Sequence, residues 1–285
     1  MSEILSSHPN LLVAAGLRNR DSLSWAAIEP WLQADPTNQA LVTYRNEKAK
    51  FFIDGQNSDY DYRIVPVRID WKAERDTAPD ILNETLTKEY GQERVVAGVL
   101  HSVARAHPDS FRLAAHEVPL EMYEQAMAVS TLSLLGLVQG VRDHLKPHAG
   151  IVTFGYGNPE LIDAEYGGPM ALAKAGLSHL VKSLAQSLGQ EAPHHARVAE
   201  IATGFIPTNS GRGVAARLDQ SSEKTILPHF NQAAFIPTDP YEQRKNAGKL
   251  AISFMTDPVY SQTTGIRFDI DGGRLFRGQG LTPRP

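Results

Sequence analysis

Two tyrosines and a lysine stand close together in the stretch Thr153–Ala175, which reads TFGYGNPELIDAEYGGPMALAKA. Tyr156 and Tyr166 are ten residues apart, and seven residues separate Tyr166 from Lys174. An ammonium group near a phenol favours the phenolate and lowers the tyrosine pKa toward a range useful for proton transfer. The spacing therefore indicates a proton-handling pair, for which a structural or solvated Tyr/Lys pair is the alternative.

The composition limits the classes of function. The chain has 285 residues, a net charge of −4 and no cysteine, which excludes disulfides, thiolate catalysis and cysteine metal sites. No basic tract indicates nucleic-acid binding, and none of the 10 histidines falls in a metal-binding motif. Without a signal-peptide pattern or an apolar run of about 18 residues, we expect a cytoplasmic protein that binds neither membrane nor metal.

Short apolar runs that predict buried strands alternate with helical patterns along the whole chain. The predicted strands are Leu11–Ala15, Ala40–Tyr44, Arg63–Val67, Val95–Leu100, Ile151–Phe154, Arg197–Ile201 and Gly265–Ile270. The first predicted helix begins after Ser22. Further helices are predicted over 46–52, 76–90, 122–145, 170–188 and 240–255. This alternation predicts an α/β fold: a Rossmann-like, doubly wound parallel sheet of about seven strands in a single domain, 1–285. The weakly periodic segment 204–236 is predicted to be a substrate-binding lid.

Ligands of such sheets bind at the carboxyl ends of the strands, so the loops there are the candidate site. Gly16 and Ser22 lie in the first strand-to-helix turn, where a helix N-terminus favours a pyrophosphate. Arg45 and Lys48 follow the second strand and favour the 2′-phosphate of NADPH over NADH. The alternative for Gly16 and Ser22 is an ordinary strand-to-helix turn without a ligand. The alternative for Arg45 and Lys48 is a solvated, charged helix start. His101 directly follows the fourth predicted strand and is either a catalytic base or a packed, hydrogen-bonded loop histidine.

Six motifs occur in the order typical of one family. They are Gly16-x5-Ser22-Leu23, TYRNEKAK, GVLHSVARAHP, MALAKAGL, ATGFIPT and TTGIRFDIDGG. With them the chain resembles the short-chain dehydrogenase/reductases, and among these the divergent enoyl-acyl-carrier-protein reductases, nearly from end to end. The resemblance implies NADPH- or NADH-dependent hydride transfer to the β-carbon of an α,β-unsaturated thioester, as in fatty acid biosynthesis. It also implies a small-molecule or acyl-carrier-bound substrate and a homotetramer.

The resemblance also implies roles for individual residues. Tyr166 corresponds to the tyrosine whose hydroxyl faces the substrate carbonyl, Tyr156 to the second active-site tyrosine, and Lys174 to the lysine that holds the nicotinamide ribose. The implied cofactor-binding residues are Gly16, Ser22, Leu23, Arg45, Asp70, Ser102, Ala104, Lys174, Ile206 and Thr208.

The chain departs from the family pattern in three ways. The tyrosine–lysine interval is one residue longer than the family's six, Ala104 replaces a glycine, and the stretch after Asp70 is longer than the family's. Position 170, where ordinary short-chain dehydrogenases carry their tyrosine, is Met. Because Pro169 suits the first turn of a helix, we expect the extra residue to lie in the preceding loop. The departures predict a specialised paralogue. Another short-chain oxidoreductase acting on a carbonyl, imine or alcohol, and a non-catalytic nucleotide-binding protein, are the alternatives.

Overall fold

Seven parallel strands form one sheet in the order β3-β2-β1-β4-β5-β6-β7. This computed structural model describes residues 9–157, 167–208, 211–212, 236 and 239–273. The strands are β1 (Leu11–Ala15), β2 (Gln39–Tyr44), β3 (Ile64–Arg68), β4 (Val96–His101), β5 (Leu145–Tyr156), β6 (Arg197–Thr203) and β7 (Ile266–Ile270). The predicted doubly wound α/β fold is thus confirmed, and β3, with its internal Pro66, is an edge strand.

The helices alternate with these strands as the sequence predicts. They are α1 (Leu23–Ala34), α2 (Glu47–Asn57), α3 (Ala78–Tyr90), α4 (Leu120–Met127), α5 (Ser133–Val141), α6 (Gly168–Gln190) and α7 (Pro240–Thr256). In the part of the chain that the structure describes, no helix has both the length and the apolar character of a membrane span. The predicted lid at 204–236 falls mostly outside the described residues.

Two apolar cores lie on opposite faces of the sheet. One contains residues of α3, α5 and α6, and the other contains residues of α1, α2 and α7. On β6, Val198 belongs to the first core, whereas Ala199 and Ile201 belong to the second. Because side chains alternate along a strand, Glu200 points to the same face as Val198, toward α6.

The prediction of one helix over Met122–Leu145 is wrong in its regularity and its end. A π-helical segment, Ala128–Leu132, separates α4 from α5, and Leu145 already pairs with Val96 as the first residue of β5. The Thr131 hydroxyl donates to the Ala173 carbonyl oxygen (2.6 Å), and the Ser133 hydroxyl donates to that of Val129 (2.6 Å). The local Ser133 bond competes with the regular helical ladder where the helix widens, and the Thr131 bond links the π-helical segment to α6.

Arg197 lies at the amino end of β6, at the sheet edge opposite the candidate site, and connects β6 to β5 and to the end of α7 through hydrogen bonds. Its buried guanidinium donates to four backbone carbonyl oxygens, those of His148 (3.2 Å), Phe254 (2.8 Å), Met255 (3.0 Å) and Tyr260 (2.9 Å). Arg197→Met would leave these acceptors unsatisfied, so we expect it to lower the free energy of unfolding by about 3 kcal/mol. Urea denaturation followed by circular dichroism measures this change.

The matched control is Arg68→Met at the end of β3, where the side chain is 56% exposed and pairs with Glu74. A surface change of this kind should alter the free energy of unfolding by no more than about 0.5 kcal/mol. Equal losses in the two variants would show that the four buried hydrogen bonds are not what matters at Arg197.

Candidate active site

The sheet order reverses between β1 and β4, which opens a crevice at the carboxyl ends of these two strands. Gly16 follows β1 with φ +96°, and a Cβ atom there would lie 2.2 Å from the Ser102 carbonyl oxygen. The Ser102 amide donates to the Ala15 carbonyl oxygen (2.9 Å). Only glycine therefore fits between the two loops, which approach each other closely beside the crevice.

Ser22 shapes the turn that leads into α1. Its hydroxyl accepts from the backbone amides of Arg18 (3.1 Å) and Asn19 (3.1 Å) and makes no capping bond to the helix. Ser22 thus occupies the N-cap position of α1 without a capping hydrogen bond. The first helical turn, which begins at Leu23, keeps amide donors for a ligand, and a helix N-terminus favours an anion.

Asp21 ties this turn to two other parts of the site. Its carboxylate pairs with Arg244 of α7 (2.8 Å) and with Arg212 (3.2 Å). Arg212 follows residues 206–208, which we call the Thr208 segment. The hydrogen bond from Arg244, opposed by partial burial and aided by Arg212, holds the pKa of Asp21 below its usual value. Ile206 is buried, and its carbonyl oxygen accepts from the Thr208 amide (2.7 Å). The Thr208 segment is therefore held near the first turn.

Lys174 is the buried cation of the site, with 6% of its surface exposed. Its Nζ donates to the carbonyl oxygen of Phe154 near the end of β5 (2.8 Å). Burial lowers the pKa of Lys174 to about 8, and the negative charge of Glu200 opposes that shift. Tyr156, the last residue of β5, is partly buried two residues beyond Phe154. Tyr166 lies outside the described residues.

Helix α6 begins at Gly168 with Pro169 in its first turn, and Gly167 precedes it with φ +67°. Pro169 thus occupies the helix start that the sequence predicts for it. By chain order Tyr166 precedes α6, and the position of the extra residue in the preceding loop stays a prediction.

His101 bridges three elements beneath the site. Its Nδ1 lies 2.7 Å from the Thr153 hydroxyl and its Nε2 lies 2.8 Å from the Ser133 hydroxyl. Burial, reinforced by the charge of Lys174, lowers the pKa of His101 to about 3. The ring is therefore neutral near pH 7, and the packed-histidine interpretation is the one that the structure supports.

The remaining predicted cofactor residues follow strands at the same edge. Arg45 and Lys48 are exposed after β2, and Ala104 is exposed after β4. Asp70 follows β3, where its amide donates to Glu74 (2.6 Å). The sheet thus brings every described candidate residue to its carboxyl edge. Among the described residues, no group of three or more acidic or histidine side chains could hold a metal ion.

A family model described as enoyl-(acyl carrier protein) reductase matches residues 16–274. The chain belongs to this reductase family. A curated relative, the NADH-dependent enoyl-[acyl-carrier-protein] reductase of Synechocystis sp., is 25% identical over 265 residues, covering 92% of this chain and 95% of its own. The resemblance drawn from the six motifs is confirmed.

Solved structures of enoyl-acyl-carrier-protein reductases share the fold of this family member. The Bacillus cereus enzyme, crystallised with NADP+ and an indole naphthyridinone, has a TM-score of 0.79 at 23% identity, covering 96% of this chain and 98% of its own. The Aquifex aeolicus NADH enzyme has a TM-score of 0.77 at 20% identity, with coverages of 96% and 99%.

Two charged residues on β6 and β7 were given no role in the sequence analysis. Glu200, in the middle of β6, is 1% exposed, and Arg267 stands directly opposite it on β7. The signal that could have revealed Glu200 is a single carboxylate inside the otherwise apolar strand RVAEIAT.

Proposed function

We propose that this protein is an NAD(P)H-dependent reductase of an α,β-unsaturated thioester. The observation that carries the proposal is the buried Lys174, placed at the end of β5 next to the crevice of a family member's sheet. A lysine in that place can bind the ribose hydroxyls of the cofactor while its charge stabilises negative charge nearby.

The described residues fit a nicotinamide dinucleotide. Gly16 allows the loops after β1 and β4 to approach each other closely at Ser102, and the Ser22 turn presents the start of α1 to a pyrophosphate. We assign the nicotinamide ribose to Lys174 and the nicotinamide and phosphate contacts to Ile206 and Thr208. When bound, the cofactor supplies the hydride that reaches the β-carbon of the substrate.

The exposed cations after β2 support NADPH as the preferred cofactor, with NADH as the second. Arg45 directly follows β2, the strand next to β1, and Lys48 lies in the first turn of α2, where a 2′-phosphate is recognised in dinucleotide-binding folds. Among the relatives, the Bacillus cereus structure contains NADP+, whereas the Synechocystis enzyme is named for NADH.

The remaining roles belong to the two tyrosines. We propose that the Tyr166 hydroxyl donates to the thioester oxygen as the enolate forms, while Lys174 holds the ribose and adds positive charge. Tyr156 is the second tyrosine of the site. The α-carbon of the substrate is protonated after hydride transfer.

Purified protein should oxidise NADPH in the presence of crotonyl-coenzyme A or a longer enoyl thioester, at a higher kcat/KM than with NADH. The loss of absorbance at 340 nm and mass spectrometry of the saturated product measure the reaction. Tight NADPH binding without turnover on enoyl or carbonyl substrates would contradict the proposal and favour a non-catalytic nucleotide-binding protein.

Assembly, carrier and location are further parts of the proposal. Leu120, Leu132 and Leu172 are large exposed apolar side chains on or between α4, α5 and α6, which supports burial of this helical layer between copies in a homotetramer. We propose an acyl-carrier-bound substrate and a cytoplasmic location on the ground of the family alone. The single domain over 1–285 and the lid over 204–236 also stay predictions.

A further inference from the structure

A buried carboxylate faces the helix that carries the proposed ribose-binding lysine. Glu200 points from β6 toward α6, the helix that carries Lys174, and it is 1% exposed. A buried carboxylate is costly unless cations or hydrogen-bond donors compensate it. The family motifs assign nothing to this position.

The backbone of β5 leaves room for this carboxylate. A Cβ atom at Gly155 would lie 1.8 Å from Oε1 of Glu200, so any larger residue there would displace the acid. Gly155 follows Phe154, whose carbonyl oxygen accepts the hydrogen bond from Lys174. The ammonium of Lys174 and the carboxylate of Glu200 therefore lie against adjacent residues of β5.

Arg267 competes with Lys174 for the carboxylate. Its guanidinium lies 3.3 Å from Oε1 of Glu200, and it also pairs with Asp269 (2.8 Å) and donates to the Gly157 carbonyl oxygen. Two cations and two carboxylates thus balance in this cluster. The guanidinium spans β6 and reaches the loop after β5, while Lys174 approaches from α6.

The other ionisable side chains on the elements around Lys174 are neutral near pH 7, cationic when charged, or exposed to solvent. His101 on β4 is neutral near pH 7, and Tyr156 ends β5. Toward the helical layer and the loop before α4, the ionisable side chains are those of His107, Tyr123 and the exposed Asp109, Glu121 and Glu124. Within the described part of the chain, Glu200 is the one acid identified as acting on Lys174.

We propose that Glu200 is a positioning residue for Lys174: its buried carboxylate keeps the lysine charged and directed at the crevice, and Arg267 limits how strongly it does so. The proposal rests on the proposed reductase function, in which a charged Lys174 holds the nicotinamide ribose. Glu200 itself touches neither cofactor nor substrate in this assignment.

The test compares Glu200→Gln, Arg267→Gln and Asp269→Asn in the full-length protein. NADPH affinity is measured by fluorescence from pH 6 to 9.5, and the titration of lysine Nζ is followed by NMR with ¹³C-labelled lysine. Removing the carboxylate should move the alkaline loss of NADPH affinity, and the Lys174 titration, about one pH unit or more toward acid. Removing the guanidinium should move both toward alkali.

Asp269→Asn is the matched control, because it removes a carboxylate from the same arginine without altering Glu200. Its profile should stay within about 0.2 pH units of the wild type. Shifts of Glu200→Gln and Arg267→Gln in the same direction, or no shift in either, would overturn the proposal. If Glu200→Gln does not fold, Arg267→Gln decides alone: an alkaline shift supports the role and any other result refutes it.

The readouts separate this inference from the reductase proposal. NADPH binding and lysine NMR need no enoyl thioester, so a wild-type protein that never turns over such substrates still tests Glu200. Conversely, normal turnover with unshifted profiles in both glutamine variants would leave the reductase function intact and remove Glu200 from the site.

Discussion

Tyr166→Phe is expected to lower kcat/KM for an enoyl thioester at least ~10²-fold while leaving NADPH affinity nearly unchanged. The change removes one hydroxyl, the proposed donor to the oxygen that becomes negative as hydride reaches the β-carbon. Loss of a single oxyanion donor typically costs about 10²–10³ in rate. Stopped-flow measurement of NADPH oxidation under single-turnover conditions would locate the loss in the chemical step.

Tyr156→Phe is the matched variant at the other tyrosine of the site. It should reduce kcat/KM less than Tyr166→Phe does, because Tyr156 is assigned no bond to the reacting oxygen. Tyr62→Phe, at an exposed tyrosine (76%), should leave the kinetics unaltered. If Tyr156→Phe abolishes turnover and Tyr166→Phe does not, the roles of the two tyrosines are reversed.

The sequence predicted the strands and helices well wherever the apolar pattern is interrupted by turns. β1, for example, coincides with its prediction at Leu11–Ala15, because a five-residue apolar run ends at Gly16. The prediction failed around Leu145, where apolar residues occur on both sides of the short polar segment 142–144 between α5 and β5. There the strand is set by pairing with Val96 of β4, a tertiary contact that local periodicity does not contain.

The site was predictable where its residues belong to local motifs. Gly16 and Lys174 each stand in a short pattern whose spacing reflects one turn or one helix face, and both lie at the predicted edge of the sheet. Glu200 and Arg267 are 67 positions apart, and only the register between β6 and β7 places them opposite each other. Without that register, the sequence shows a single carboxylate in a buried strand and does not identify Arg267 as its partner.

Lys174→Met should cause the second large loss, at least ~10²-fold in kcat/KM, together with about tenfold weaker NADPH binding. Methionine keeps the length and apolar body of the side chain but leaves the Phe154 carbonyl oxygen and Glu200 without the ammonium. Fluorescence titration and steady-state kinetics separate the two effects. Lys182→Met, two turns further along α6 at an exposed position, should change neither quantity.

The pH dependence follows from the direction of the Lys174 shift. Burial lowers its pKa to about 8, so the ammonium is present below that pH and is lost as pH rises through it. In the wild type, kcat/KM for NADPH should therefore fall above about pH 8, because this parameter reports ionisations of the free enzyme. In Lys174→Met that decline near pH 8 should vanish from the remaining activity. A decline that persists unchanged would assign the titration to another group and would remove the charge of Lys174 from the mechanism.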